Sequence, residues 1–512
     1  MRRLLPPCDL AIAVAAGLLV ACAFPDPDLP LLAWFGLAPL LVVMPRRPFM
    51  SGFVAGFAFF AVVLYWLNIV MTTYGRLPLT VSVLLYLLLV AYLALFWGTA
   101  TWAACRLRQV CNYPFALTLP VFWVALELLR ALLLTGFPWA TLGYSQQAWL
   151  PVIQSADLFG VYGISYLLLL SNAVLAELYL GGRRQAGQRL PVPALLCLLV
   201  LLGANLGYGF WRLAAPVEEA QATARVGLVQ GNIPQDLKWN PDFQQQTLQT
   251  YRRLSLQAAA AGATDLLVWP EAATPFYYQE GGAAAAAVDA VASRTGGRLL
   301  FGSPAYRQSD GRLRYLNSAF LIDAERRQLG RSDKIHLVPF GEYVPLAWLL
   351  PFVNKLVVGI GDFSPGEVNP LPLNGAQLGV LICYEVIFPE LARDYVRQGS
   401  GLLVNLTNDA WFGRSSAPEQ HLAMARFRAI ENRVWLARAA NTGISALIAP
   451  SGAIVQRSPL FVETFLVGQV GLVAAPGLYA RTGDAFPLLF VLVGIVWLWQ
   501  TRATSLNRKN CV

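Results

Sequence analysis

Apolar runs over residues 9–24, 30–45, 49–71, 78–103, 113–135, 159–180, 192–213 and 485–501 constrain this chain more than any other feature. Crossing the hydrocarbon core of a bilayer takes about 20 apolar residues in a helix, and most of these runs reach that length. Lipid offers main-chain N–H and C=O groups no partner, so the runs are expected to be transmembrane helices. The first two are the shortest. Residues 9–24 also read as a signal peptide with Ala21-Cys22-Ala23 as its cleavage site. Pro25-Asp26-Pro27-Asp28 reads equally well as a tight loop between two spans, and we prefer that. Only 13% of residues are charged, against roughly 25% in soluble proteins, which excludes an ordinary cytosolic enzyme and a disordered chain.

A net charge of +9 invites a nucleic-acid partner, but the positions of the basic residues exclude one. Arg2 and Arg3 precede the first run, Arg46 and Arg47 follow the second, and Arg106 and Arg108 follow the fourth. Arg183, Arg184 and Arg189 follow the sixth; Arg502, Arg508 and Lys509 follow the eighth. The alternate loops carry Asp26 and Asp28, or Arg76 alone. Positive charge collects on the cytoplasmic side of short loops, so eight spans with both termini in the cytoplasm are expected. The chain then divides into seven spans in 1–213, a periplasmic domain over 214–484, and an eighth span with a cytoplasmic tail in 485–512.

That outer domain holds one cysteine, Cys383, and so no internal disulfide. A lone exported thiol is either a small buried hydrophobe or a functional group. Strand-like runs lie at 225–230, 265–269, 298–302, 377–383, 401–405, 444–449 and 465–473, and helical patterns at 241–261, 283–295, 389–398 and 418–440. Strands alternating with helices indicate an α/β layered fold.

No zinc or phosphate-loop motif is present, and neither a metal nor a cofactor is expected. Three segments draw attention. Leu266–Glu271 (LLVWPE) is an apolar run ending in a carboxylate; Asp333–Glu342 (DKIHLVPFGE) sets Lys334 beside an apolar loop; Val380–Glu385 (VLICYE) ends in the lone cysteine. Active residues of layered α/β folds gather at strand ends. A carboxylate can take the proton of a thiol, and an ammonium can stabilise the thiolate and then an oxyanion. Each alone has a plainer account: Glu271 as a helix-start acid, Lys334 as a surface charge, Cys383 as a packed thiol.

Together these segments resemble the nitrilase superfamily, with its glutamate, lysine and cysteine on an αββα sandwich. Glu271 in VWPEAATP falls on the base, Lys334 in SDKIHLVPFGEYVP on the lysine, and Cys383 in GVLICYEVIFPE on the nucleophile. With an eight-helix transmembrane bundle attached, the chain is similar to the membrane-embedded, apolipoprotein-acylating branch of that superfamily. GNIPQDLKW (231–239), NLTNDAWFG (405–413), RAIENRVWLARAANTGIS (428–445) and GFPWATLGYSQ (136–146) match as well.

The resemblance implies an acyltransferase of the bacterial inner membrane. Cys383 attacks the sn-1 ester of a phospholipid donor, phosphatidylethanolamine, and the thioester passes its acyl group to the α-amino group of a diacylglyceryl-modified apolipoprotein. Glu271 is the implied base and then acid, and Lys334 holds the oxyanion with N–H groups near Tyr384. Glu342 orients the lysine or the base, and Glu385 belongs with these supporting residues. A monomer is expected. Trp239, Trp411, Phe412 and Trp348 are candidates to contact acyl chains; Trp348 sits in the apolar stretch Tyr343–Val353, which reads as lipid-facing. Glu127 and Arg130, inside the fifth run, are expected to pair with each other or a neighbouring span, with a lipid head group as the alternative. His336 and His421 leave open a cysteine–histidine pair. A small-amide hydrolase on a membrane anchor, or a non-catalytic scaffold, are the rival functions.

Overall fold

The computed structural model describes residues 5–182, 191–214, 222–309, 311–343, 363–473 and 475–510. They form two units. One comprises Met1–Asn68, Leu79–Ala215 and Thr482–Val512; the other comprises Ile69–Pro78 and Pro216–Arg481.

The first unit is helical. Leu79–Cys111, Phe115–Thr135, Val161–Gly182, Val192–Ala214 and Ala485–Thr504 are each long and apolar enough to cross a bilayer, and Pro48–Val63 with Leu67–Tyr74, bent by 57°, makes a sixth segment. The two earliest runs form shorter apolar helices. Pro7–Ala21 has 15 residues, which at about 1.5 Å per residue is about 22 Å. The second run breaks into Pro30–Trp34, Ala38–Val43 and Met44–Arg46. Pro30, Pro39 and Pro45 lack the N–H that a continuous helix needs, and each restarts the turn. Glu127 and Arg130 are buried and hold the loop after their helix. Glu127 accepts from the Leu142 N–H at 2.9 Å, and Arg130 donates to the carbonyls of Phe137 and Trp139 at 2.8 and 2.6 Å.

The second unit contains two six-stranded sheets. The strands are β1 (Thr223–Gln230), β2 (Leu266–Val268), β3 (Arg298–Ser309), β4 (Arg312–Ile322), β5 (Gln328–Asp333), β6 (Leu371–Leu373), β7 (Ala376–Ile382), β8 (Ser400–Thr407), β9 (Trp435–Ala440), β10 (Ala446–Ile448), β11 (Ile454–Arg457) and β12 (Thr464–Gly471). Their orders are β12-β1-β2-β3-β4-β5 and β11-β10-β9-β8-β7-β6. The centre of each sheet is parallel, β1-β2-β3 in one and β7-β8-β9 in the other.

Alternation along each strand places the layers. Val226, Leu228, Val268, Leu300 and Leu321 meet Val380, Ile382, Val404, Leu406 and Ala439 between the sheets. The intervening residues Val229, Leu267, Trp269, Leu299 and Phe301 pack on Tyr251, Leu254, Val288 and Val291 of helices α1 (Gln244–Ala260) and α2 (Gly282–Thr295). Helices α3 (Pro389–Arg397) and α4 (Ala417–Asn432) accompany the other sheet. Each central strand is thus buried on both faces, which is why it reads as an unbroken apolar run. The architecture is the expected αββα sandwich.

The helix expected over 418–440 ends at Asn432. Arg433 adopts φ +54° and closes it, and Trp435–Ala440 becomes β9, paired in parallel with β8. WLARAA favours a helix locally, but as a buried strand it bonds its main chain to β8 and packs Ala437 and Ala439 into the core, so tertiary pairing overrides propensity. The charged hairpin of β3 and β4 extends the sheet past the apolar residues visible in sequence.

Candidate active site

Three strands end at the three residues singled out above. After β2, Trp269 donates its N–H to the Leu300 carbonyl at 2.8 Å, which carries the chain over β3 to Glu271. The passage is tight. A Cβ on Gly302 of β3 would lie 2.4 Å from the Ala272 nitrogen and 2.7 Å from the Glu271 Cα. Lys334 follows β5, its N–H bonded to the Asn317 carbonyl at 2.8 Å and its carbonyl accepting from the Gly366 N–H at 2.8 Å. Cys383 follows β7 and opens a short 3-10 turn, Cys383–Ile387, with φ +55°. A non-glycine residue held there costs of the order of 1 kcal/mol or more and persists because its surroundings impose it.

Lys334 is buried between two carboxylates. Its Nζ lies 2.9 Å from Glu342 Oε1 and 3.4 Å from Glu271 Oε1. Asn317 Nδ2 on β4 donates to the same two oxygens, at 2.8 Å to Glu271 and 3.0 Å to Glu342. The other oxygen of Glu342 accepts the Val338 N–H at 2.8 Å, so its orientation is set by its own loop. Burial alone would lower the ammonium pKa, but the charges of Glu342, Glu271 and Cys383 outweigh it and hold Lys334 above the ordinary lysine range. Lys334 therefore stays a cation.

The Cys383 thiol is pushed up to about 12, first by burial and then by the charges of Glu271 and Asp409, with Lys334 and the Thr407 hydroxyl pulling it back. At rest it is a thiol. Glu271 is the carboxylate whose charge it feels most.

Glu385 joins the turn of Cys383 to the loop of Lys334. One oxygen accepts the N–H groups of Ile335 and His336 at 2.5 and 3.0 Å, and the other accepts that of Ile382 at 2.6 Å. The Tyr384 ring packs edge-on to Phe388 with centroids 5.1 Å apart. Behind the turn lies a buried polar layer that the sequence does not reveal. Asp409 accepts from Thr407 Oγ1 at 2.9 Å and Arg438 Nη2 at 2.6 Å, and sits 3.1 Å from His421 Nδ1. Arg438 also donates to Asn405, which reaches the Cys383 carbonyl at 3.4 Å. Burial opposes ionisation of Asp409, yet Arg438 and His421 hold it well below the usual carboxylate range.

Both histidines are engaged by other groups. His336 stacks on Phe388 with centroids 3.8 Å apart, and burial followed by the Lys334 charge pushes it down to about 4. The Nδ1 of His421 is engaged by Asp409 and Arg438. Among the acyl-contact candidates, Trp239 is exposed, while Trp411 and Phe412 are half-buried. Trp411 packs edge-on to Tyr74, whose hydroxyl donates to the Ala410 carbonyl at 2.6 Å. Trp348 and the apolar stretch around it lie outside the described residues.

Sequence reasoning passed over Asn317 and Lys238. Asn317 sits mid-strand with no motif around it. Lys238 had a signal: the whole chain has four lysines, 238, 334, 355 and 509, and this one ends the GNIPQDLK segment.

A cysteine, a lysine and a glutamate at strand ends of an αββα sandwich define an enzyme of the carbon–nitrogen hydrolase class, and the carbon-nitrogen hydrolase family matches residues 225–475. The apolipoprotein N-acyltransferase N-terminal domain matches residues 16–174. The apolipoprotein N-acyltransferase of Geobacter metallireducens is 50% identical over 94% of this chain and 93% of its own length. That of Azotobacter vinelandii is 38% identical over 90% and 88%, and that of Pseudomonas aeruginosa PAO1 35% identical over 98% and 96%. The chain belongs to the apolipoprotein N-acyltransferase family.

Proposed function

We propose that this chain N-acylates the N-terminal diacylglyceryl-cysteine of bacterial apolipoproteins by a ping-pong route through a thioester on Cys383. The observation that carries this is Lys334 held between the carboxylates of Glu271 and Glu342 in the electrostatic field of Cys383.

The first half-reaction starts from the thiol. Sγ bonds to the sn-1 ester carbonyl of a phospholipid as Glu271 takes the S–H proton. Lys334, a permanent cation here, donates to the oxyanion, joined by main-chain N–H groups near Tyr384. The C–O bond then breaks, the leaving oxygen takes the proton from Glu271, and a lysophospholipid departs. In the second half-reaction a neutral α-amino group bonds to the thioester carbonyl and gives its proton to Glu271. The C–S bond breaks, and the departing sulfur recovers the proton as thiol. Glu342 and Asn317 keep Lys334 and Glu271 aligned throughout.

Phosphatidylethanolamine as donor, a monomeric state, eight spans in the inner membrane and a periplasmic catalytic domain complete the proposal. The alternation of arginine-rich loops with loops that hold acids or Arg76 alone supports this topology. The proposed domains are spans one to seven in 1–213, catalysis in 214–484, and span eight with its tail in 485–512. Trp239, Trp411, Phe412 and Trp348 are proposed to contact the lipid chains.

The test is intact mass after incubation with phospholipid alone. A ping-pong enzyme forms its acyl adduct without acceptor, so one acyl group is expected on Cys383 after digestion. No adduct, or one on another residue, overturns the mechanism.

A further inference from the structure

Lys238 is buried, and its Nζ donates to the main-chain carbonyl of Glu271 at 3.0 Å. Removing an ammonium from water costs several kcal/mol unless nearby groups compensate it. A loop that needed only a donor to that carbonyl would be served by a neutral amide. The loop that carries Lys238 leaves β1 of one sheet and is bound to the other: Asn441 accepts the Ile233 N–H at 2.9 Å and returns a bond to its carbonyl at 2.8 Å. Asn408 donates to Gln235 Oε1 at 2.6 Å. Lys238 thus reaches Glu271 from a loop anchored to the sheet that bears Cys383.

The charge balance explains why a cation stands there. Glu271, Glu342 and Lys334 together carry one net negative charge before any thiolate or oxyanion forms. Lys238 brings the cluster to neutrality. The charges of both Glu271 and Cys383 act on it, and such coupling is reciprocal.

We propose that Lys238 is a positioning residue of the acyl-transfer site, which fixes the main chain of Glu271 and supplies the second cation that makes ionisation of Cys383 accessible. The proposal rests on Cys383 being the nucleophile, and its test separates the two. Burial lowers Lys238 to about 8, against the opposing charges of Glu271 and Cys383, so its charge is present at neutral pH and is lost above that value. Glu271 after β2 and Cys383 after β7 are the groups whose charges reach it from other elements; Asp236 lies exposed on its own loop.

The experiment follows alkylation of Cys383 by iodoacetamide in the intact, detergent-solubilised protein. This readout needs no lipid and no acyl transfer. Lys238→Met is expected to react about tenfold more slowly at pH 7, since a one-unit rise in thiol pKa is a tenfold loss of thiolate. Lys238→Arg should stay within about twofold of the parent, because guanidinium keeps the charge. The parent's log rate should also bend downward above pH 8 as Lys238 loses its proton, and that bend should vanish in Lys238→Arg, which cannot titrate there. This second comparison decides the matter if Lys238→Met does not fold. Equal rates in parent and Lys238→Met, or an unchanged bend in Lys238→Arg, overturn the role of Lys238 alone. A parent in which Cys383 does not react at all overturns the nucleophile assignment beneath it.

Discussion

Glu385 Oε1 accepts the main-chain N–H of Ile335 at 2.5 Å, so a carboxylate two residues past Cys383 holds the residue next to Lys334. With its bonds to His336 and Ile382, it ties the ends of β5 and β7, which belong to different sheets. One buried side chain thus links the loop of Lys334 to the turn of Cys383.

Glu385→Gln should loosen that tie, because its amide would present N–H groups to main-chain donors. Hydrogen bonds to a charged acceptor contribute about 1.5–3 kcal/mol each, so acyl-adduct formation is expected to fall about tenfold or more. The pH dependence carries a second signature. Burial raises the carboxyl from 4.5 to about 7 against three N–H groups and the Lys334 charge. The folded state then binds the proton more tightly than the unfolded one, so stability from this group falls as pH rises from about 4.5 to 7. Melting temperatures at pH 5 and 7 should differ by less in Glu385→Gln than in the parent. An identical pH slope in the variant contradicts this assignment.

Cys383→Ser should lose turnover almost entirely, since an alcohol holds its proton far more tightly than a thiol. Cys383→Ala should lose the acyl adduct altogether. Near-normal transfer by the alanine variant, measured on a diacylglyceryl peptide, would exclude Cys383 as nucleophile.

Gly302→Ala tests the close passage beneath Glu271. Its Cβ would meet main-chain atoms of Pro270, Glu271 and Ala272 at 2.4–2.7 Å, so Glu271 itself must shift. Overpacking of this kind costs about 1–3 kcal/mol. A lower melting temperature and a drop of about 100-fold in adduct formation are expected, with Cys383 still open to alkylation. Parental kinetics in this variant would show that Glu271 tolerates the displacement.

Asn317→Leu removes the neutral side chain that, beside Lys334, donates to both Glu271 and Glu342. Both carboxylates would then depend on Lys334, at a cost of about 1.5–3 kcal/mol for each lost charged bond. Adduct formation should slow about tenfold or more, whereas Asn317→His, which can still donate, should recover part of the loss. Single-turnover acylation of the two variants distinguishes them, and equal rates would reduce Asn317 to packing.

Topology is open to labelling. Single cysteines in the 25–29 and 73–77 loops should react with a membrane-impermeant thiol reagent added from the periplasm, and those in the 45–48 loop should not. The reverse pattern would put the catalytic domain in the cytoplasm.

The long apolar runs, the layered α/β class and the three strand-ending motifs were all legible in the residues, because each depends on interactions within a few neighbours. Hydropathy over about 20 residues marks a span, and apolar LLVWPE and VLICYE mark buried strands that stop at a functional group. Three things were not legible. The tail of α4 became β9 because pairing with β8 outweighed a helical preference spread over six residues. The second apolar run broke at its prolines, which hydropathy averages away. Asn317 and Lys238 reach Glu271 across 46 and 33 residues of sequence, and no local pattern records a contact that exists only once strands and loops are packed. Sequence by itself determined which titratable residues stand at three strand ends. The tertiary structure alone decided how those residues are tuned, because burial and the sum of nearby charges set proton affinities, and both arise only when the chain is folded.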